Sequence, residues 1–320
     1  MSIDYSIFYR RQIRPENIAN EVGDFDIFIS AFNSSGRISA VFNSIKSSRK
    51  IYLVHPEYNF SSADVPRGDW EIYVPEEIDE SVQINGLFNM IGPLSGVERI
   101  CVDITGFMRS PLCFLVEKLK RLGVAGFSAI YSEPDAYSKQ ENTEFSTTTS
   151  GAVRPVKGMA GALAKAARKD YVVIGIGYDH KLVGEVLQNK ESSFAYPIFA
   201  FPSLSPDMYQ QSAVRAARSG EKALHESWIV NRKFAPANDP FSTAAVVADT
   251  ISEIERFDSN ANIYISPLST KAQTLGFAIY WVLEGAVKKN VSLLMPECSA
   301  YSRETSTGIK RIWMYDVEFS

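Results

Sequence analysis

Short apolar segments alternate with amphipathic segments along most of the 320 residues, and this alternation constrains the fold more than any other feature. In the first half the apolar segments are DFDIFISAF (24–32), KIYLVHPEY (50–58), RICVDITG (99–106) and FSAIYSEP (127–134). Apolar strands separated by helices of about 10 to 15 residues are typical of βαβ units. The pattern therefore predicts an α/β fold with a parallel sheet.

The same order of segments restarts in the second half. Its apolar segments are DYVVIGIGYDH (170–180), YPIFAFPS (196–203), NIYISPLST (262–270) and VSLLMPECSAYS (291–302). The motifs SEPDAYS and PECSAYS both follow such a segment, and their tyrosines, Tyr137 and Tyr301, are 164 residues apart. At the same offset, the residues 103–105 align with 267–269. We interpret this as an internal duplication; the alternative is that any two βαβ units look alike.

The duplication predicts two tandem Rossmann-like parallel-sheet halves, residues 1–157 and 158–320. Residues 138–151 are rich in Ser and Thr and predict an exposed loop, and residues 158–169 predict a short helix or linker at the boundary. The tail, IKRIWMYDVEF (309–319), alternates apolar and polar residues and predicts an edge strand.

Composition excludes several classes of function. The net charge is −4 and no long block of Lys or Arg occurs, which argues against general binding to nucleic acid. No apolar segment approaches the roughly 20 residues that span a bilayer, and the N-terminus has no apolar signal core. The odd number of cysteines, three, and the lack of a CxxC motif favour a reducing compartment. We therefore expect a cytoplasmic protein that does not bind membranes.

Polar residues follow the predicted strands where a parallel sheet binds its ligands, beyond the carboxyl ends and near helix N-termini. In the segment Asp103-Ile104-Thr105-Gly106 the glycine lets backbone or ligand come close. The alternative is that this segment is only a turn and a helix cap. The predicted ligand-binding residues are Ser30, Asn33, Glu57, Asp103, Thr105, Gly106, Asp179, Ser269, Thr270, Lys271 and Glu297.

The sequence contains one segment that resembles a phosphate-binding turn, and it contains no cofactor motif. PLSTKAQTLG (267–276) combines Ser, Thr and Lys at a strand-to-helix junction, although it is not a Walker A motif; a capped helix with an exposed Lys271 is the alternative. GIGYDH (175–180) lacks the third glycine of a dinucleotide fingerprint. HExxH, Cys/His clusters and GxSxG are absent, so the sequence predicts no metal site, no cofactor and no hydrolase triad.

The strand end from Val102 to Gly106 resembles the ligand-binding strand end of the CRISPR-associated Rossmann-like (CARF) domains, and PLSTKAQTLG resembles it more loosely. Two such units in one chain resemble the SAVED domains, which bind cyclic oligonucleotides in antiphage signalling. The resemblance implies a sensor or regulatory subunit of antiviral defence that binds a nucleotide-type small molecule, and we expect that molecule at the carboxyl ends of the strands, between the halves. Because no nuclease motif is present, it also implies a protein partner or a homo-oligomer that carries the output.

Two other functions stay open. The chain could be an enzyme that acts on a nucleotide or phosphoribosyl-type substrate in a cleft between the halves, with Glu57, Asp103, Asp179 or Glu297 as acid or base. It could also be a purely structural subunit. The lack of a compact His/Asp or Cys/His constellation favours binding over catalysis.

Overall fold

The computed structural model describes residues 3–61, 63–137, 145–162, 169–220, 226–303 and 305–319. They form an α/β protein with two large sheets whose strands are mostly parallel, as the sequence predicts. The chain divides into two compact units. The first unit comprises Phe8–Thr147 and Ser299–Ser320, and the second unit comprises Met1–Ile7 and Thr148–Cys298.

Strands and helices alternate along the chain. The strands are β1 (Arg10–Ile13), β2 (Phe25–Ala31), β3 (Ser47–Leu53), β4 (Glu71–Tyr73), β5 (Ile100–Asp103), β6 (Gly126–Glu133), β7 (Ala136–Tyr137), β8 (Ser146–Pro155), β9 (Asp170–Ile176), β10 (Phe194–Ala200), β11 (Lys233–Ala235), β12 (Asn262–Pro267), β13 (Val291–Tyr301), β14 (Ser306–Thr307) and β15 (Arg311–Glu318). The helices are α1 (Ile18–Glu21), α2 (Gly36–Ser44), α3 (Glu80–Ile91), α4 (Arg109–Arg121), α5 (His180–Asn189), α6 (Met208–Ala217), α7 (Glu226–Val230), α8 (Pro240–Phe257) and α9 (Lys271–Leu283). None of the described helices is long and apolar enough to cross a bilayer.

The first unit has a sheet in the order β1-β15-β6-β5-β2-β3-β4. The strands from β2 to β6 are parallel to their neighbours, whereas β15 runs antiparallel to β6 and β1. The prediction of an edge strand for the tail is therefore wrong. The whole of β15 pairs with β6, from Arg311 opposite Glu133 to Glu318 opposite Gly126, and β1 covers its other side.

The second unit has a sheet in the order β11-β10-β9-β12-β13-β8. From β9 to β13 the strands are parallel to their neighbours. In each sheet the first strand, β2 or β9, has the next two strands on one side and the following two on the other side. The order of β9 to β13 therefore matches that of β2 to β6. Both sheets thus have the strand order of a Rossmann-like fold, which is also the order that an internal duplication predicts.

Two strands, β8 and β13, cross from one unit to the other along the chain. Of the loop predicted for residues 138–151, residues 138–144 lie outside the described residues. From Ser146 onward the prediction of a loop is wrong, because β8 begins there. The β-branched threonines of this segment suit a strand. Within the predicted linker 158–169, residues 163–168 also lie outside the described residues.

The core of the first unit fixes the direction of α2. Ile38, Val41 and Phe42 lie on one face of this helix, at helical spacing, and all three are buried. Phe42 stacks on Tyr52 of β3 with a centroid distance of 3.6 Å. Because α2 follows β2 directly, this packing holds the N-terminus of the helix beside the carboxyl end of β2.

Candidate functional site

The first unit has its topological switch point between β2 and β5, where ligands bind in folds of this type. The Ser30 hydroxyl donates a hydrogen bond to Asp103 Oδ2 at 3.1 Å, and the Thr105 amide donates one to Asp103 Oδ1 at 3.0 Å. Thr105 Oγ1 in turn accepts a hydrogen bond from the Ser132 amide at 3.0 Å. The predicted residues Ser30, Asp103 and Thr105 therefore form one bonded cluster across three strand ends.

Asp103 is fully buried in this cluster. Burial raises the pKa of its carboxyl, and hydrogen bonds from Thr105 and Ser30 together with the Arg37 guanidinium oppose this shift. Both carboxylate oxygens accept a hydrogen bond from a protein donor. The geometry therefore gives Asp103 a role in tying the strand ends together.

Gly106 is required by the backbone. A Cβ atom at this position would lie 2.2 Å from the carbonyl oxygen of Ala31 and 2.6 Å from Ile38 Cδ1. The backbone of Ala31 thus approaches Gly106 closely, which is one of the two reasons for a glycine that the sequence suggests.

Tyr58 spans the two loops that follow β2 and β5. Its hydroxyl donates a hydrogen bond to the carbonyl oxygen of Gly106 at 3.0 Å, and its side chain also forms a hydrogen bond with Asn33. Burial raises the pKa of Tyr58 to about 12. Tyr58 therefore links the loop after β2, through Asn33, to the loop after β5, through Gly106.

Glu57 belongs to a second buried polar group. His55 Nδ1–H donates to Gln83 Oε1 at 2.6 Å, because His55 Nε2 accepts from the Met108 amide at 3.2 Å. Gln83 Nε2 lies 3.5 Å from both carboxylate oxygens of Glu57. All three of these polar side chains are buried, so Glu57 faces protein groups.

An open cavity of about 750 Å³ lies beside the carboxyl end of β2 and the start of α2. It combines two phenylalanine rings with hydroxyl, amide, carboxylate and guanidinium groups. Its walls are Phe32, Asn33, Ser34, Ser35, Ser39, Phe60, Asp64, Pro66, Ser302 and Arg303. Among the predicted site residues, Asn33 lines this cavity, and its Oδ1 accepts a hydrogen bond from the Ser35 amide at 2.8 Å.

Arg303 reaches the cavity from the segment that follows β13. Its guanidinium carbon lies 4.3 Å from the Phe60 ring centroid, and Phe60 meets Phe32 edge-on with 5.0 Å between centroids. Arg303 Nε donates to the carbonyl oxygen of Tyr58 at 2.8 Å, and Nη2 donates to that of Asn59. Sequence reasoning misses Phe60, which lies well after the end of β3, and Arg303, whose contact with the loop after β3 has no signature in the sequence.

Asp64 contributes a charged carboxylate to the same cavity. Its Oδ2 accepts hydrogen bonds from the Ser61 hydroxyl and amide, each at 2.7 Å. These two bonds hold the pKa of Asp64 below its usual value, with a smaller contribution from the Arg303 charge.

The second unit has the equivalent switch point between β9 and β12. A Cβ atom on Gly177 would lie 2.5 Å from the carbonyl oxygen of Leu268, so the two strand ends approach as closely here as at Gly106. Thr270 Oγ1 accepts a hydrogen bond from the Gln273 amide at 3.1 Å and donates one to the carbonyl oxygen of Ala237 at 2.6 Å. Thr270 thus caps α9.

The other predicted residues of the second unit are either hydrogen-bonded to protein groups or at least half-buried. Asp179 is buried and caps α5, accepting from the Leu182 amide at 3.5 Å. Glu297 accepts from Arg154 Nε at 2.7 Å. Ser269 is buried, and Lys271 is half-buried, which corrects the alternative that Lys271 is exposed. The burial of Lys271 follows from its position in the first turn of α9, a helix that is otherwise almost wholly buried.

The loop after β9 is packed where the first unit has its cavity after β2. The Tyr178 hydroxyl donates to Gln211 Oε1 at 2.7 Å, and Arg215 Nη1 donates to the carbonyl oxygen of Tyr178 at 2.8 Å. The guanidinium of Arg215 also stacks over the Tyr178 ring at 4.7 Å. Both Gln211 and Arg215 belong to α6, so this helix covers the loop.

No group of three or more His, Cys, Asp or Glu residues within the described ranges is arranged to hold a metal ion. Comparisons with protein-family models, with curated proteins and with solved structures find no match to this chain. Its function is therefore inferred from the geometry of the two units.

Proposed function

We propose that the chain is a nucleotide-binding sensor or regulatory subunit of antiphage defence that acts in the cytoplasm and binds its ligand at the carboxyl end of the first unit's sheet. One observation carries this proposal, the cavity of about 750 Å³ at the junction of β2 and α2. Its volume falls in the range of roughly 300–1,000 Å³ that is usual for small-molecule sites.

The chemistry of the cavity walls matches the parts of a nucleotide. Phe32 and Phe60 supply apolar ring surface for a base. The Ile38 amide of α2 donates to the Ser35 carbonyl oxygen at 3.0 Å, whereas the amides of the first two helix residues have no intrahelical acceptor, and such groups bind phosphate. Arg303 has five N–H donors, and its two hydrogen bonds to the carbonyls of Tyr58 and Asn59 leave others for a ligand.

The candidate carboxylates already contact protein groups, and this supports binding over catalysis. Asp103 accepts from Ser30 and Thr105, and Glu57 faces Gln83 in a buried group. Asp179 caps α5, and Glu297 is paired with Arg154. An acid or base must reach the reacting proton, and each of these groups already contacts a protein donor.

The assignment to antiphage defence rests on the resemblance of Val102 to Gly106 to CARF strand ends and on the two Rossmann-like sheets. A sensor of this kind needs an output, which we assign to a protein partner or to a second copy of the chain. Measuring the mass of the chain in solution, with and without a bound nucleotide, tests whether the ligand changes its assembly.

A thermal-shift screen of the full chain against nucleotides tests the binding function. A ligand that binds only the folded state at about 100 times its Kd stabilises it by about 2.7 kcal/mol. We expect at least one nucleotide to raise the Tm, and no turnover of that nucleotide on prolonged incubation. Turnover would favour the enzyme, and a screen in which no nucleotide shifts the Tm would contradict both functions.

A further inference from the structure

Arg303 presents a flat guanidinium whose orientation is fixed by the protein. Its Nε donates to the carbonyl oxygen of Tyr58 at 2.8 Å, and its Nη2 donates to the carbonyl oxygen of Asn59. Because these donors share one edge of the guanidinium, the two hydrogen bonds hold its plane in place. An exposed side chain is therefore kept in a single orientation.

One face of this guanidinium is covered and the other is open. Its central carbon lies 4.3 Å from the centroid of the Phe60 ring. Phe60 is held in turn by Phe32, which meets it edge-on with 5.0 Å between the ring centroids. Because Arg303 is exposed and lines the cavity of about 750 Å³, a bound molecule can reach the face opposite Phe60.

A similar contact in the second unit is buried. The guanidinium of Arg215 lies over the Tyr178 ring at 4.7 Å, and both residues are buried. Its Nη1 donates to the carbonyl oxygen of Tyr178 at 2.8 Å, so this arginine stabilises a loop. Arg303 also binds a loop, but its place at an exposed cavity wall leaves it a face for a ligand.

The charges of the cavity walls limit what the cavity can hold. Among the described residues that line it, Arg303 carries the one positive charge and Asp64 the one negative charge. The Ser61 hydroxyl and amide both donate to Oδ2 of Asp64, which leaves Oδ1 able to accept from a sugar hydroxyl. A molecule with several phosphates would bring more negative charge than these side chains neutralise.

We infer that Arg303 is the base-recognising residue of the first-unit cavity, and that it stacks a nucleoside base on the guanidinium face opposite Phe60. This inference rests on the proposed function and names the part of the nucleotide that the cavity selects. Guanidinium planes stack on aromatic rings, and unpaired bases are bound by arginine in this way. The base holds the ligand, and the low net charge of the walls restricts it to one phosphate.

Calorimetric titration of the full chain with ligands that have or lack a base tests the stack. The probes are ribose 5-phosphate and the 5′-mono-, di- and triphosphates of adenosine, guanosine, cytidine and uridine. Ribose 5-phosphate should bind at least about tenfold more weakly than the tightest monophosphate, because it has no base to stack. The di- and triphosphate of the same nucleoside should bind no more tightly than its monophosphate.

Lysine variants test which residue the base contacts. Arg303→Lys keeps the charge but loses the planar face, so it should weaken binding of the tightest monophosphate by about tenfold. Its affinity for ribose 5-phosphate should stay as in wild type. Arg232→Lys is the matched control, because Arg232 also lies over a phenylalanine ring, that of Phe234 at 5.7 Å, and is not a wall residue of this cavity. This control should bind as wild type does.

The outcomes separate the inference from the proposed function. If monophosphates bind but ribose 5-phosphate binds equally well, no base is stacked and the inference is wrong, a result that needs only the wild-type chain. Wild-type binding by Arg303→Lys, an equal loss for both kinds of ligand, or tighter binding of the triphosphate would also overturn it. If no nucleotide of any kind binds the wild-type chain, the proposed function itself fails.

Discussion

The guanidinium carbon of Arg303 lies 4.3 Å from the centroid of the Phe60 ring, and both side chains line the cavity beside β2. Phe60 follows β3, whereas Arg303 follows β13, a strand that begins in the second unit. The C-terminal segment thus returns to the first unit and completes its cavity.

Arg303→Ala should weaken nucleotide binding by about 1.5–3 kcal/mol, the usual size of a hydrogen bond to a charged group. The side chain is exposed, so the free energy of unfolding should change by no more than about 1 kcal/mol. Calorimetry and urea denaturation measure the two effects. Arg121→Ala is the control, because Arg121 is also an exposed arginine of the first unit with a protein partner, Glu117. Equal affinities of the two variants would remove Arg303 from the site.

Gly106→Ala should destabilise the fold by about 1–3 kcal/mol, the usual cost of overpacking. The physical reason is the distance of 2.2 Å between the new Cβ atom and the carbonyl oxygen of Ala31. The midpoint of urea denaturation measures this effect, and Gly23→Ala serves as the control without a contact. A wild-type midpoint for Gly106→Ala would mean that the two strand ends lie further apart than described.

Asp103→Asn should lower stability by about 1–3 kcal/mol and leave nucleotide affinity unchanged. The remaining oxygen can still accept from the Thr105 amide, and the new amide group can donate to the Ser30 hydroxyl oxygen, but both hydrogen bonds lose their charged partner and become weaker. Urea denaturation and calorimetry on the same preparations give both values. A variant with normal stability and reduced affinity would instead make Asp103 a ligand-binding residue.

The stability difference between wild type and Asp103→Asn should depend on pH. Burial raises the pKa of Asp103 above its usual value of 3.8. Between the two values the folded protein therefore binds more protons than the unfolded chain, and the contribution of Asp103 to stability falls as pH rises. Asparagine does not titrate, so the advantage of wild type should shrink as pH rises above 3.8. Denaturation curves at a series of pH values test this, and a growing advantage would mean that the pKa is lowered.

The sequence is sufficient to predict most of the fold. The alternating segments predict the parallel sheets, because buried parallel strands are continuously apolar. The sequence is a weaker guide to the pairing of the two chain ends. Residues 309–319 have the alternation of an edge strand, and pairing of this segment on both sides depends on β1, which is four residues long and only partly buried.

The candidate site can be predicted from the sequence only in part. The 103–106 segment does lie at the switch point, but its polar groups bond to one another, a result that depends on distances between strands. The cavity depends on Phe60 and Arg303, which lie in separate loops with no periodic pattern. Only Asn33 of the predicted residues lines it, since Asn33 directly follows a strand and its loop opens toward α2.

The most direct test of the nucleotide-binding function is to identify the small molecule that the chain selects. The full chain is incubated with a small-molecule extract of cells and re-isolated by gel filtration, and the bound molecules are released and identified by mass spectrometry. We predict one phosphorylated nucleoside per chain, retained by Arg121→Ala and lost from Arg303→Ala. Recovery of no phosphorylated nucleoside, or equal recovery from both variants, would contradict the assignment of this cavity as a nucleotide site.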